Sequence, residues 1–280
     1  MFIQSLTPKS TLRPVVATRI EPGLLARQLR PRNPTVSVIV PTLNEARNLP
    51  YALSRLPQCV TEVIIVDGRS TDDTVEVAGR LRDDIRIVEE PRKGKGIALK
   101  RGFEAASGDI VVMLDADGSA DAAEIQMFIE ALVAGADFAK GSRFLAGGGS
   151  VDLTAIRKCG NRCLTGAVNL VCQTRYTDLC YGYNAFWRDC LEFVPVDVPG
   201  FEVETRLNML VAAAGLNVVE VPSHEFCRVH GASNLHALKD GLRVLRTIIR
   251  TWRQIRRGEC RTVRSRQVEL EPTVDVEAIA

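Results

Sequence analysis

Five short apolar runs punctuate residues 35–142, and their alternation with helical segments constrains the fold more than any other feature of the chain. TVSVIV (35–40) is β-branched and stops at Pro41; EVIIVD (62–67), DIRIVEE (84–90), DIVVMLDAD (109–117) and ADFAKGSR (136–143) follow. Between them lie four stretches with helical spacing. NEARNLPYALSRL (44–56) repeats Leu49, Ala52, Leu53 and Leu56; STDDTVEVAGRL (70–81) opens with N-cap residues; GKGIALKRGFEAAS (94–107) and DAAEIQMFIEALVAG (121–135) complete the series. Strands that are apolar on both faces must be covered on both faces. Parallel neighbours need a crossover long enough to be a helix. The pattern therefore predicts an α/β fold, a mainly parallel sheet flanked by helices.

The second half is less regular. A glycine-rich loop (144–154) precedes a predicted helix (155–173) and a short strand around GYNAFW (182–187). The helix EVETRLNMLVAAAG (202–215), the strand LNVVEVP (216–222), a polar loop (222–236) and a long final helix complete the reading. Residues 1–34, with five prolines and no sustained periodicity, read as a mobile basic arm. The expected organisation is that arm, a domain over 35–236, a basic amphipathic helix over 237–258 and a disordered tail over 259–280.

The 280 residues, 46% hydrophobic and 25% charged, have ordinary globular composition, which excludes a disordered, collagen-like or disulfide-stapled chain. Apolar runs such as Ile110 to Leu114 fall far short of the ~18 residues that a membrane span needs. The N-terminus has no continuous apolar segment of the secretory kind, so a cytoplasmic chain is expected. The eight cysteines include no C-x-x-C pair and read as free thiols of a reducing compartment.

A formal charge of +2 conceals an uneven distribution. Residues 1–34 carry six basic side chains and one acid, residues 238–257 seven and one, and the last 17 residues two and four. The body between the basic segments is left at −7. An acidic body with basic arms suits a protein held against an anionic surface.

In such sheets, ligands gather at the carboxyl ends of the strands. Three segments there carry acids or tight turns: residues 41–45, Asp67-Gly68, and Asp115-Ala116-Asp117-Gly118. Asp115 and Asp117 flank one small residue after an apolar strand, where both can approach one hard divalent cation, Mg²⁺ or Mn²⁺, that would hold a diphosphate. An aspartate turn with exposed acids would give the same spacing.

VSVIVPTLNEARNL, EVIIVDGRSTDDT, GKGIALKRGFEAASGDIVVMLDADG and GSR occur in that order over 36–143. The set resembles the family 2 inverting glycosyltransferases of the GT-A fold, in particular the dolichyl- or polyprenyl-phosphate mannose synthase branch, over roughly residues 35–236. The resemblance implies a nucleotide-diphosphate sugar donor. Pro41, Thr42 and Glu45 would line the nucleotide pocket and Asp67 would bond the base. Lys95 would lie near base or diphosphate, Ala116 would contact the donor, and Arg143 would reach the donor phosphates. Asp115 would contact ribose or metal, and Asp117 would be the main metal ligand. The chain departs from the family pattern in two places. Gly68 and Arg69 stand where V-D-D-G-S is frequent, and Ser119 stands where the mannose synthases often have Gln.

On the acceptor side, Glu204 falls near the family's base for a sugar hydroxyl, although Glu202 and Glu204 would equally serve as acids at a helix N-terminus. A lipid phosphate would arrive already ionised and need no strong base. FCRVHGASNL (226–235) resembles F-x-x-R-x-x-G-x-S-K-L, with Asn234 in place of the Lys, so Arg228 would contact a phosphate; the alternative is a surface arginine in a loop. Arg157, Asn161 and Asp178 are weaker acceptor-side candidates.

In the final helix Leu238, Leu242, Leu245, Ile249 and Trp252 form an apolar stripe, and Arg243, Arg246, Arg250, Arg253 and Arg257 flank it. Such a helix either lies in a bilayer interface or packs on the body. Without interleaved aromatics, nucleic acid is not an expected partner. The expected function is metal-dependent inverting sugar transfer to a polyprenyl-phosphate-type lipid, as a peripheral enzyme of the inner membrane face. The alternatives are transfer to a hydroxyl of a glycan or small molecule, and a non-catalytic membrane or partner adaptor. A dinucleotide oxidoreductase is disfavoured because no G-x-G-x-x-G follows the first strand.

Overall fold

The computed structural model describes residues 30–231 and 237–262. Its strands are β1 (Val36–Thr42), β2 (Val60–Asp67), β3 (Ile85–Glu89), β4 (Ile110–Met113), β5 (Phe138–Ser142), β6 (Gly149–Ser150), β7 (Asn184–Trp187), β8 (Val218–Pro222) and β9 (His224–Glu225). Its α-helices are α1 (Leu49–Ala52), α2 (Thr74–Leu81), α3 (Lys95–Ala105), α4 (Ile125–Val133), α5 (Ala155–Cys172), α6 (Val203–Ala214) and α7 (Ala237–Arg256). Seven strands form one sheet in the order β3-β2-β1-β4-β7-β5-β8. All run parallel except β7, which lies antiparallel between β4 and β5. The sheet is mainly parallel and flanked by helices, as the alternation predicts.

The strands are buried because they are aliphatic on both faces. Val38, Ile39 and Val40 of β1, Val63 to Val66 of β2 and Ile110 to Val112 of β4 are fully enclosed. Phe186 of β7 stacks on Phe138 of β5 with centroids 5.3 Å apart, and meets Phe103 of α3 edge-on at 5.5 Å. A second apolar cluster, with Val168, Leu179, Met209, Val244 and Ile248, joins α5, α6 and α7.

Some local elements differ from the sequence reading. The helix expected over 44–56 is a single turn, since Pro50 sits at its start and the chain leaves the helix after Ala52. The expected loops at 144–154 and 222–236 contribute β6 and β9, which pair with each other. Arg30, part of the expected arm, is tied to the body. It bonds Asp137 at 2.7 Å and Asp189 at 3.0 Å, and covers the Trp187 ring at 4.9 Å. Residues 1–29 of the arm, the tail beyond 262, Asn234 and the side chain of Leu238 lie outside the described residues.

α7 packs mainly by a face beside its apolar stripe, and of that stripe Trp252 joins the second cluster. Val244, Thr247, Ile248 and Thr251 are buried, whereas Leu242, Leu245 and Ile249 are exposed. Arg206 of α6 anchors it, donating to Thr251 Oγ1 at 2.9 Å and Gln254 Oε1 at 2.7 Å. No described helix is long and apolar enough to cross a membrane, and all eight cysteines are free.

Candidate active site

Parallel pairing brings the carboxyl ends of β1, β2 and β4 to one edge. Thr42 registers with Asp67, and Asp115 follows β4 by two residues. A cleft of about 770 Å³ opens there, and Pro41, Thr42, Glu45, Asp115, Ala116 and Asp117 all line it. Glu45 is fixed twice: its N–H donates to Thr74 Oγ1 at 2.8 Å, and its carboxylate accepts from Asn48 Nδ2 at 2.6 Å. Asp67 lies beneath this wall, 5% exposed. Its two oxygens accept from the Ser70 N–H and hydroxyl at 3.0 and 2.6 Å, closing the turn after β2. Gly68, the next residue, reaches the cleft.

Asp117 Oδ1 accepts from the Ser119 N–H at 3.0 Å, which holds its other oxygen toward Arg228 Nε at 3.5 Å. Lys95 Nζ lies 2.6 Å from Asp115 and 2.8 Å from Glu204, so one ammonium joins β4, α3 and α6. The glycines beside Lys95 make this approach possible. A Cβ at Gly94 would meet Pro199 O at 2.1 Å, one at Gly96 would meet Val198 O at 2.0 Å, and Gly94 has φ +137°. Burial alone would weaken the hold of Lys95 on its proton, but Asp115 and Glu204 outweigh it and raise its pKa. Burial pushes the Glu204 carboxyl up, and Lys95 opposes part of that rise.

Asp115 and Asp117 supply hard oxygens at the cleft wall, and two carboxylates completed by substrate phosphates suit Mg²⁺ or Mn²⁺. Among the described residues no cluster of three His, Cys, Asp or Glu side chains is poised for a metal. The residues present fit a cation shared with a bound diphosphate.

The segment after β9 covers this end of the cleft. Phe226 N–H donates to Ser119 O at 2.7 Å, and His230 N–H to Asn48 Oδ1 at 2.9 Å. Arg228 is thereby set 3.0 Å from Glu45 as well as beside Asp117. Arg143 lines the cleft, but its charge is already engaged. Nε and Nη2 bond Asp178 at 2.7 and 2.9 Å, Nη1 bonds Glu225 at 3.0 Å, and the guanidinium covers the Tyr181 ring. Burial opposes ionisation of both partners, yet each stabilises the other's charge: Asp178 is held below its ordinary pKa and Arg143 above.

The fold thus gathers Glu45, Lys95, Asp115, Asp117, Glu204 and Arg228 around one cleft, and Arg143, Arg157 and Asn161 line it as well. Asp67 and Asp178 lie behind it, each tying a neighbouring segment together. Asn161 Nδ2 also donates to Asp178, at 2.9 Å. Glu202 is buried at the start of α6 and lies 3.8 Å from Arg243. Glu225 and Tyr181, which partner Arg143, were not visible in the sequence, because nothing local marks a residue that acts across β6 and β9.

The sequence model of Glycosyl transferase family 2 matches residues 37–194. A dolichol-phosphate mannosyltransferase of Pyrococcus furiosus is 33% identical over 209 residues, 71% of this chain and 59% of its own length. This chain therefore spans about three-fifths of that relative. A polyprenol monophosphomannose synthase of Mycolicibacterium smegmatis is 31% identical over 207 residues, 69% of this chain and 78% of its own. A solved glucosyl-3-phosphoglycerate synthase from Mycobacterium tuberculosis, in complex with Mn²⁺, UDP-glucose and glycerol 3-phosphate, is similar at TM-score 0.61 and 25% identity, covering 82% of this chain and 83% of its own. A match over more than half of the sequence, reinforced by relatives above 30% identity, means that this chain belongs to glycosyl transferase family 2 and carries its GT-A fold.

Proposed function

We propose that this chain transfers a sugar, with inversion, from a nucleotide-diphosphate sugar to a polyprenyl-phosphate-type lipid. One observation carries the reading. The same cleft that presents Asp115 and Asp117 is also walled by Leu153, Ile156 and Leu164 near α5, Phe201 before α6 and Val244 of α7. An acidic, cation-binding end joined to an aliphatic end suits an amphiphilic acceptor. The two relatives whose names include dolichol phosphate and polyprenol support it.

In the proposed reaction a phosphate oxygen of the acceptor attacks the anomeric carbon. The bond from that carbon to the donor diphosphate breaks, and its electron pair leaves with the diphosphate. Asp115 and Asp117 would hold a Mg²⁺ or Mn²⁺ ion that neutralises charge on the leaving group. Arg228 and Lys95 place fixed positive charge on either side of the two aspartates. Glu204, engaged by Lys95, is left to position that ammonium, and an ionised phosphate needs no base. A second reading, transfer to a hydroxyl, draws on the upward shift of the Glu204 pKa, since such a carboxyl is better suited to accept a proton. Incubation with labelled nucleotide sugars, Mn²⁺ and polyprenyl phosphate tests the proposal. Label should enter the organic phase; a water-soluble product alone would refute the lipid acceptor.

A further inference from the structure

The outward side of α7 carries two adjacent rows. Leu242, Leu245 and Ile249 are 56, 39 and 41% exposed. Arg246, Arg250 and Arg253, displaced by one to four residues from them, are exposed too, with no carboxylate in salt-bridge range among the described residues. The opposite face is spent on the body through Val244, Ile248 and Thr251, so packing among the described residues leaves both rows facing outward. The stretch 241–257 contains no acid. A second copy meeting this face would bring like charge against like charge, and three aliphatic side chains are too few for a stable protein interface.

We infer that this face of α7 docks on an anionic lipid bilayer. The arginines meet the headgroups, and Leu242, Leu245 and Ile249 enter the acyl boundary beside them. Position favours this occupant over an acidic protein. Gly241 and Val244, from the same helix, line the cleft, and so does Ile156 of α5, which is 72% exposed. A bilayer on the outward rows therefore lies next to the aliphatic end of the cleft. The inference rests on the proposed lipid acceptor for its purpose, but it can be tested without it.

The full chain is co-sedimented with phosphatidylcholine vesicles containing or lacking phosphatidylglycerol. Binding should require phosphatidylglycerol and weaken as salt is added. Arg246→Gln with Arg250→Gln should weaken partitioning about thirtyfold, the equivalent of about 2 kcal/mol for two headgroup contacts. Leu242→Ser with Ile249→Ser should weaken it comparably, which an electrostatic protein partner would not require. Both variants alter exposed side chains, so melting temperature and transfer to an acceptor presented in detergent should match the parent. Equal binding by parent and variants, or no preference for phosphatidylglycerol, would overturn the inference. Variants that lose vesicle binding would uphold it even where no polyprenyl phosphate is glycosylated, and that combination would refute only the acceptor.

Discussion

Replacing Asp178 by Asn asks whether the guanidinium of Arg143 belongs to the scaffold or to the substrate. Asp178 is fully buried and accepts from the N–H, Nε and Nη2 of Arg143 at 3.2, 2.7 and 2.9 Å, and from Asn161. Asparagine keeps the shape but removes the charge and turns an amide NH₂ toward these donors. Breaking one partner of a buried ion pair costs about 3–5 kcal/mol, because the other charge is left uncompensated. Glu225 still holds Nη1, so the lower end, about 3 kcal/mol, is expected. That is a large part of the roughly 5–15 kcal/mol that stabilises a domain. The assay is urea unfolding at neutral pH, read as a fall in midpoint with an unchanged slope. Because Asp178 titrates lower in the folded chain than in the unfolded one, its contribution is present above the ordinary value and lost as pH falls through the folded value. The gap between parent and variant should therefore be constant near neutrality and shrink below about pH 4. In the Asp178→Asn background, Arg143→Met should cost far less than it does alone. A variant within about 1 kcal/mol of the parent, or a gap insensitive to acid, would refute the scaffold argument and return Arg143 to the donor phosphates.

Asp117→Ala should lower transfer about a hundredfold to a thousandfold, as charge neutralisation at the leaving group is lost. Its melting curve should stay close to the parent's, since the side chain accepts one backbone N–H and shares only a partly exposed ion pair with Arg228; undiminished transfer of labelled sugar would contradict the metal assignment. Glu204→Gln should lower stability at pH 7 in urea unfolding, because it removes one of the two carboxylates that hold the buried Lys95 ammonium. The loss should be smaller than for Asp178→Asn, since Asp115 still holds Lys95 and burial already opposes the Glu204 charge. The variant's transfer rate should also fall at least about tenfold, since Lys95 would then lean on Asp115 alone, and single-turnover assays separate the two effects. Arg69→Gly should stabilise the fold by about 1 kcal/mol in chemical denaturation, because Arg69 adopts φ +63° and gives up only an exposed pair with Glu89.

The chain makes its first half legible because each run from TVSVIV to ADFAKGSR carries its own termination, and parallel pairing follows from aliphatic residues on both faces. Asp115 and Asp117 could be placed because they follow directly on one such run. Arg69 is a telling departure: the sequence has an arginine where related motifs have glycine, and the backbone keeps the left-handed turn regardless. What could not be read was long-range. Nothing local in NAFW says that it inserts antiparallel between β4 and β5. Nothing in the Leu and Ile stripe of α7 says that Thr247 and Thr251 will be buried instead, since Arg206 of α6 supplies the partner for Thr251. The engagement of Arg143 and Glu204 was likewise hidden, because their partners come from elements far along the chain.

The antiparallel strand also dictates an order of assembly. β5 has no direct pairing with β4; Ile110 pairs with Trp187, and Phe138 with Phe186, so β7 is the splice between two halves of the sheet. A nascent chain can join β1, β2, β3 and β4 as they emerge, but β5 must wait for residues 184–187, and β8 joins on β5. Tyr181 and Gly182, which line the cleft, immediately precede that splice. Pairings this distant in sequence slow folding, and an unfilled strand edge is a route to aggregation. Ribosome-bound chains ending before residue 184 should therefore protect the β1–β4 amides from exchange while leaving β5 open, and the binding cleft should be the last part of the molecule to acquire its shape.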